Sequence, residues 1–181
     1  MRVVGLGGSL RERSFSRAAL QQALAIAAGS GLETELLDLR ALDLPMYRPD
    51  ISVDEYPPQH HDGINHLLDA CRQADAFFWS SPCYHGTVSG VFKNALDFIE
   101  YLSRDERPYL HTRPVALIAV NDQVTFAAMI NAMHELRGWV TPTQVVVRRT
   151  LFSPEMVLED ERSLLRMQRQ VDELISFTHR A

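Results

Sequence analysis

"RVVGLGGSLRERSFSR", residues 2–17, joins a short apolar run to a stretch of hydroxyls and guanidiniums. Arg2–Leu6 reads as a buried strand that ends at glycines. From Ser14 to Ala28 the apolar residues Leu20, Ala23, Leu24 and Ala27 make a helical stripe, and Gly29 and Gly31 stop it. Residues 7–17, where the strand ends and the helix begins, hold Gly7, Gly8, three serines (Ser9, Ser14, Ser16), three arginines (Arg11, Arg13, Arg17) and one acid, Glu12. A strand that turns at glycines into a helix presents unpaired amides and the positive end of a helix dipole. Hydroxyls and one guanidinium complete a shell around a phosphate. The competing reading is ordinary N-capping by Ser14 or Ser16, with solvated arginines. Capping needs a single serine, and this stretch carries three plus Arg11.

The alternation continues along the chain. Strands are predicted at Glu33–Leu39, Ala74–Trp79, Pro114–Val120 and Val140–Val147, and helices at Asp62–Arg72, Val88–Leu102, Thr125–Leu136 and Glu161–Thr178. The Val88–Leu102 helix is the clearest, with apolar residues at 88, 91, 92, 95, 96, 99 and 102. Leu42–Pro58, with four prolines, reads as an excursion over the surface. Five strands alternating with helices imply an α/β fold: a parallel sheet between two helical layers. Five strands suit the flavodoxin-like order 2-1-3-4-5, in a single domain over 1–181. Ligands of such sheets lie beyond the carboxyl ends of the strands, where the strand order reverses. That singles out the loops 7–17, 81–87 and 121–124.

Bulk composition removes other classes. The chain has 181 residues, 46% of them hydrophobic, and 23 acidic against 18 basic residues, a net charge of −5. That leaves no basic excess for nucleic-acid phosphates. No apolar stretch approaches a membrane span, and the first residues enter a strand rather than a signal peptide. Two cysteines, Cys71 and Cys83, are too few for a disulfide framework or a zinc site and fit a reducing cytoplasm. Only Lys93 among the basic residues is a lysine, so an arginine is by itself weak evidence of function.

Two phosphate-binding motifs are excluded. "GLGGSL" (5–10) has Leu10 where the dinucleotide fingerprint needs a glycine, and no Gly-Lys-Ser/Thr is present for a P-loop. What remains, "GSLRERSFSR" at 8–17, resembles the Gly-Ser-x-Arg-x-x-Ser loop of the NAD(P)H-dependent FMN reductases of flavodoxin-like fold, which include quinone, azo and chromate reductases. "PCYHGTVSGVFKNALDFIEYL" at 82–102 is similar to that family's Pro-x-Tyr…Gly-x-x-Lys-Asn-x-x-Asp stretch, and "HELRGWVTP" at 134–142 to its last helix end and strand. The resemblance implies FMN, with NADPH or NADH as hydride donor. It implies that Ser9, Arg11, Ser14 and Ser16, with the amide of Phe15, hold the flavin phosphate. It also places Pro82, Cys83, Tyr84, His85 and Gly86 along the isoalloxazine edge, and it implies a homodimer or homotetramer. No catalytic side chain and no metal are assigned, since hydride transfer needs no side-chain acid or base.

The remaining loops carry open alternatives. His85 is either a flavin contact or a surface histidine. Cys83 reads as a small neutral residue whose backbone matters rather than a redox thiol, since no partner cysteine lies near in sequence. His60, His61 and His66 lack metal-ligand spacing and read as a solvated helix start. After the fourth strand, "VNDQVTF" (120–126) departs from the small residues common in the family. Asn121, Asp122 and Gln123 can hydrogen-bond the pyrimidine end of a flavin. An Asp122 carboxylate there would repel the anionic reduced ring by roughly 3 kcal/mol at about 5 Å and an effective dielectric near 20; alternatively Asp122 faces solvent and caps the next helix. Arg48, Arg104 and Arg107 are candidates for a nicotinamide 2′-phosphate. "FAAMINAM" in the 125–136 helix and Tyr101, off its own stripe, suggest an interface between subunits, or burial beneath the 42–58 excursion. The alternative to a reductase is a flavodoxin-type electron carrier; Arg11 and the modest net charge count against it.

Overall fold

A computed structural model describes residues 1–178 of the chain; residues 179–181, the end of the expected domain, lie outside it. The strands are β1 (Arg2–Gly7), β2 (Glu33–Asp38), β3 (Ala76–Pro82), β4 (Pro114–Val120) and β5 (Trp139–Val147). All pair in parallel in the order β2-β1-β3-β4-β5. The helices are α1 (Phe15–Gly29), a single turn α2 (Leu39–Leu42), α3 (His61–Gln73), α4 (Gly90–Phe98), α5 (Thr125–Glu135) and α6 (Glu161–Thr178).

Side-chain alternation divides the core between the two faces of the sheet. Val3, Phe78, Ala116 and Ile118 meet Leu20 and Leu24 of α1 and Met167 and Leu174 of α6. Val4, Phe77, Trp79 and Leu117 meet Leu67 of α3, Phe92 and Phe98 of α4 and Met129 of α5. β3 runs three residues beyond its predicted end, because Ser80, Ser81 and Pro82 stay in register with Ile118, Ala119 and Val120. The proline sits last in the strand, where a missing N–H costs little.

The helix predicted over Val88–Leu102 starts two residues later and tightens into a 3-10 turn over Ile99–Leu102. Ser89 sets its start by capping Phe92 N–H. The 42–58 excursion is pinned rather than loose. Asn94 accepts the Tyr47 amide at 2.9 Å and donates to Pro45 O at 2.7 Å. Tyr101 lies at the end of the same helical run, edge-on to Tyr47 at 5.6 Å, and its hydroxyl donates to Ile51 O at 2.7 Å. Its off-stripe position is therefore explained within one chain. In α5, Phe126, Met129 and Met133 are buried while Ala127, Asn131 and His134 face outward, so this helix is two-sided rather than apolar all round.

Candidate functional site: an anion cradle at the carboxyl end of the sheet

β1 ends at two glycines for steric reasons. At Gly7 (φ +155°) a Cβ would stand 2.0 Å from Ser80 O, inside the β3 backbone. Gly8 donates its amide to Ser80 O at 2.9 Å. A Cβ on Gly8 (φ +114°) would project to 3.9 Å from Ser16 Oγ and 4.0 Å from Ser14 Oγ, into the space these hydroxyls surround. Ser14 then caps α1, its Oγ accepting the Arg17 amide at 3.2 Å. The amides of Phe15 and Ser16 precede the first intrahelical bond, and the first turn holds no acid. Ser16 Oγ lies 3.0 Å from Ser14 Oγ, and Ser9 Oγ accepts the Arg11 amide at 3.1 Å. All three serines are buried. Capping and an anion site are compatible here: Ser14 Oγ accepts the cap bond, and its hydroxyl proton and the other donors are left over.

The three arginines of the loop separate by what their guanidiniums touch. Arg17 pairs with Asp38 at 2.9 Å and reaches Glu12 O. Arg13 donates to Pro154 O. Arg11 is exposed, makes no ion pair among the described residues, and lines the cleft.

Ser89 links this loop to the next. Its hydroxyl donates to Gly8 O at 3.0 Å, and its amide donates to Ser81 Oγ at 3.0 Å. Beyond Pro82 the chain closes a two-residue hairpin turn with His85 (φ 52°) and Gly86 (φ 81°) at its tip. Tyr84 donates to Thr87 O at 2.9 Å and Cys83 to Val120 O at 3.3 Å. The amides of Cys83 and Tyr84 are therefore engaged within the protein, and those of His85 and Gly86 lie outside the turn's own bonds. Asn121 takes a left-handed conformation (φ 75°) and donates its amide to Val147 O at 2.8 Å. Asp122 and Gln123 are exposed, and Asp122 Oδ1 accepts the Val124 amide at 3.0 Å.

Ser9, Arg11, Ser14, Phe15, Ser16, Pro82, Cys83, Tyr84 and Asn121 together line one cleft. His85, Gly86, Asp122 and Gln123 stand outside its wall, the first two on the hairpin tip and the others on the turn before α5. Three further residues line the cleft that the sequence reading did not select: Arg13, Val120 and Arg149. Arg149 follows β5, a strand whose exit the sequence reading left unexamined although it abuts β4. Arg104 and Arg107 lie in the connection that enters the amino end of β4, the far end of the sheet; Arg107 is engaged there with His111 O and Thr112 Oγ1. Of the three arginines considered for a 2′-phosphate, only Arg48 lies outside that connection.

Cys71 is fully buried in α3, and burial pushes its thiol up to about 12. His60, His61 and His66 have partners of their own: Asp43 O at 2.9 Å, Tyr56 O at 2.7 Å and Glu35 at 2.6 Å. Among the described residues no helix is long and apolar enough to cross a membrane.

Comparison with known proteins gives the site a context. Residues 1–151 match the family model described as NADPH-dependent FMN reductase. The chain belongs to the NADPH-dependent FMN reductase family. It is 31% identical over 121 residues to an NAD(P)H-dependent FMN reductase of Pseudomonas aeruginosa, a match covering 67% of this chain and 60% of that protein. It is 29% identical over 154 residues to an FMN-dependent NADPH-azoreductase of Staphylococcus saprophyticus, covering 80% and 78%. Among solved structures it resembles the flavoenzyme NAD(P)H:(acceptor) oxidoreductase FerB of Paracoccus denitrificans, with a TM-score of 0.75, 22% identity and coverage of 99% and 97%.

The cradle fits the flavin named in this family. The cleft is small, about 40 Å³. The donors suit a phosphate: buried hydroxyls, free helix amides and an unpaired guanidinium.

Proposed function

We propose that this chain is an NAD(P)H-dependent FMN reductase. The observation that carries the reading is the cradle formed by Gly8, Ser14 and Ser16 with the unengaged Arg11 beside it. Bound there, FMN supplies the acceptor for a hydride from reduced nicotinamide. The chain's own residues hold and orient. Ser9, Arg11, Ser14 and Ser16, with the Phe15 amide, grip the phosphate. Pro82, Cys83 and Tyr84 form the wall beside the ring, while the amides of His85 and Gly86 and the side chain of Asn121 offer hydrogen bonds to its polar edge. Asp122 and Gln123 stand at the rim. The open rim leaves room for a nicotinamide and then for a small acceptor such as a free flavin, a quinone, an azo compound or a metal oxyanion.

Mixing the purified protein with FMN and then NADPH or NADH without air tests this. Bleaching of the yellow flavin without a helper reductase supports the reading. Bound FMN that neither cofactor bleaches would make the chain a flavodoxin-type carrier instead. We place the enzyme in the cytoplasm, in keeping with two free cysteines. We also propose self-association as a homodimer or homotetramer, supported by half-buried Ala128 and Ile130 and exposed Val124 on and beside α5. Light scattering at micromolar concentration decides that point, a monomer mass removing it.

A further inference from the structure

After β5 the chain does not pass straight into α6. Residues 148–160 fold back on themselves: Ser153 donates to Val157 O at 2.8 Å, Glu159 to Leu151 O at 2.9 Å, and Phe152 bridges to Leu158. Leu158 is buried and anchors the fold-back in the core beside α1 and α6. Three contacts then join it to the loop after β1. Phe152 meets Phe15 edge-on at 5.2 Å. Arg13 donates to Pro154 O. The Arg149 guanidinium lies over the Phe15 ring, 5.8 Å from its centroid. Phe152 and Pro154 fall beyond residue 151, where the family match ends.

The manner in which Arg149 is held matters. A cation over a ring face is held without using its N–H donors, and the Arg149 guanidinium makes no hydrogen bond among the described residues. Arg149 makes no ion pair among the described residues, and it lines the same cleft as Arg11. Arg17 pairs with Asp38 and reaches Glu12 O, and Arg13 gives one Nη to Pro154 O. Of the cleft's guanidiniums, Arg11 from the β1 loop and Arg149 from the β5 exit make no hydrogen bond to the protein among the described residues. A phosphate monoester at pH 7 carries close to two negative charges.

We infer that Arg149 is the second guanidinium for the phosphate monoester of the flavin, positioned by the 148–160 fold-back through Phe15 and Phe152. The inference rests on the flavin reading above and adds a charge contact outside the β1 loop. Two cations from separate elements favour a terminal, doubly charged phosphate and contribute nothing to a ligand without one.

The test titrates flavin-free full-length protein with FMN and with riboflavin, following flavin fluorescence. Arg149→Gln is expected to weaken FMN binding about tenfold and leave riboflavin binding unchanged, the effect of one exposed charge-assisted contact. Arg149→Gln should also lower the salt dependence of FMN binding. Phe152→Ala, which loosens the platform while keeping the charge, should give a smaller loss confined to FMN. Arg148→Gln, the exposed neighbour, should change neither. An unaltered FMN-to-riboflavin ratio in Arg149→Gln, with wild type still preferring FMN, would overturn the inference and leave the function standing. Wild type that binds both ligands equally would remove the phosphate cradle, and the reading on which the inference rests would fall with it. Equal loss of both ligands in Arg149→Gln would also overturn it, by making Arg149 a structural residue.

Discussion

At the amino end of the sheet Arg113 is buried, and its Nη1 and Nη2 donate to Tyr109 O and Arg72 O at 2.8 Å each. At the carboxyl end Arg11 is exposed, with its guanidinium unengaged by the protein. The cavities differ in the same sense. The amino end carries the larger hollow, about 720 Å³, walled by Pro114, Trp139, Val140, Pro142 and Phe177. Its carboxylate, Glu173, is already engaged by the Thr143 amide at 3.0 Å and hydroxyl at 2.6 Å. The carboxyl end encloses far less space yet gathers donors that nothing in the protein uses. Size and unengaged donors do not coincide in this molecule. Arg113 closes off carbonyls at the end of α3 and near β4, whereas the Arg11 guanidinium has no partner among the described residues.

The largest effect that separates the two ends concerns Arg113. Burial lowers its pKa to about 10, so it stays charged at neutral pH. Arg113→Met removes the donors to two part-buried carbonyls and the packing of a buried side chain, and is expected to lose about 1–3 kcal/mol in urea unfolding. FMN affinity of the folded fraction should be unchanged. A weakened affinity with intact stability would dissolve the distinction between the two arginines.

Arg11→Ala should do the reverse. FMN binding is expected to fall by roughly one to two powers of ten, with riboflavin binding and the unfolding midpoint close to wild type. Loss of both flavins together would show a collapsed loop.

A smaller effect sharpens the comparison within the carboxyl end itself. Asp122 accepts the amide of Val124, two residues on, which is a local turn contact and not a contact across the cleft. Asp122→Ala should therefore cost about 0.5–1 kcal/mol of stability. Asp122→Asn should leave the potential of bound FMN in place. An upward shift beyond about 30 mV, roughly 1.4 kcal/mol for two electrons, would restore the electrostatic role considered from sequence.

The two thiols give the mildest test. Iodoacetamide should modify the native protein at Cys83, which lines the cleft, and FMN should slow that reaction. Cys71, buried and with its thiol held up to about 12, should react only after unfolding. Native alkylation at Cys71, seen by peptide mass, would contradict the packing of α3 against the sheet.

The strand order, the two helical layers and the strand exits that matter are written in local patterns. Apolar periodicity and glycine positions act through nearest neighbours, so they can be read from the sequence. For the same reason the serines of the 8–17 loop were legible, since a helix N-terminus gathers consecutive residues, while only the family resemblance set Arg11 apart from Arg13 and Arg17. The 2-1-3-4-5 order also follows from sequence, since right-handed crossovers and strand number leave few arrangements. What tertiary structure alone decided is which donors are left over. Arg11, Arg13 and Arg17 are equivalent by spacing, yet Asp38 and Pro154 engage two of them from 21 and 141 residues away. The hairpin at His85–Gly86 likewise takes up the Tyr84 amide and leaves the tip amides free. Arg149 reaches the cleft only because β5 lies beside β4 and the chain beyond it folds back onto Phe15. Availability of a hydrogen-bonding group depends on everything packed around it, and that sum is a property of the folded chain.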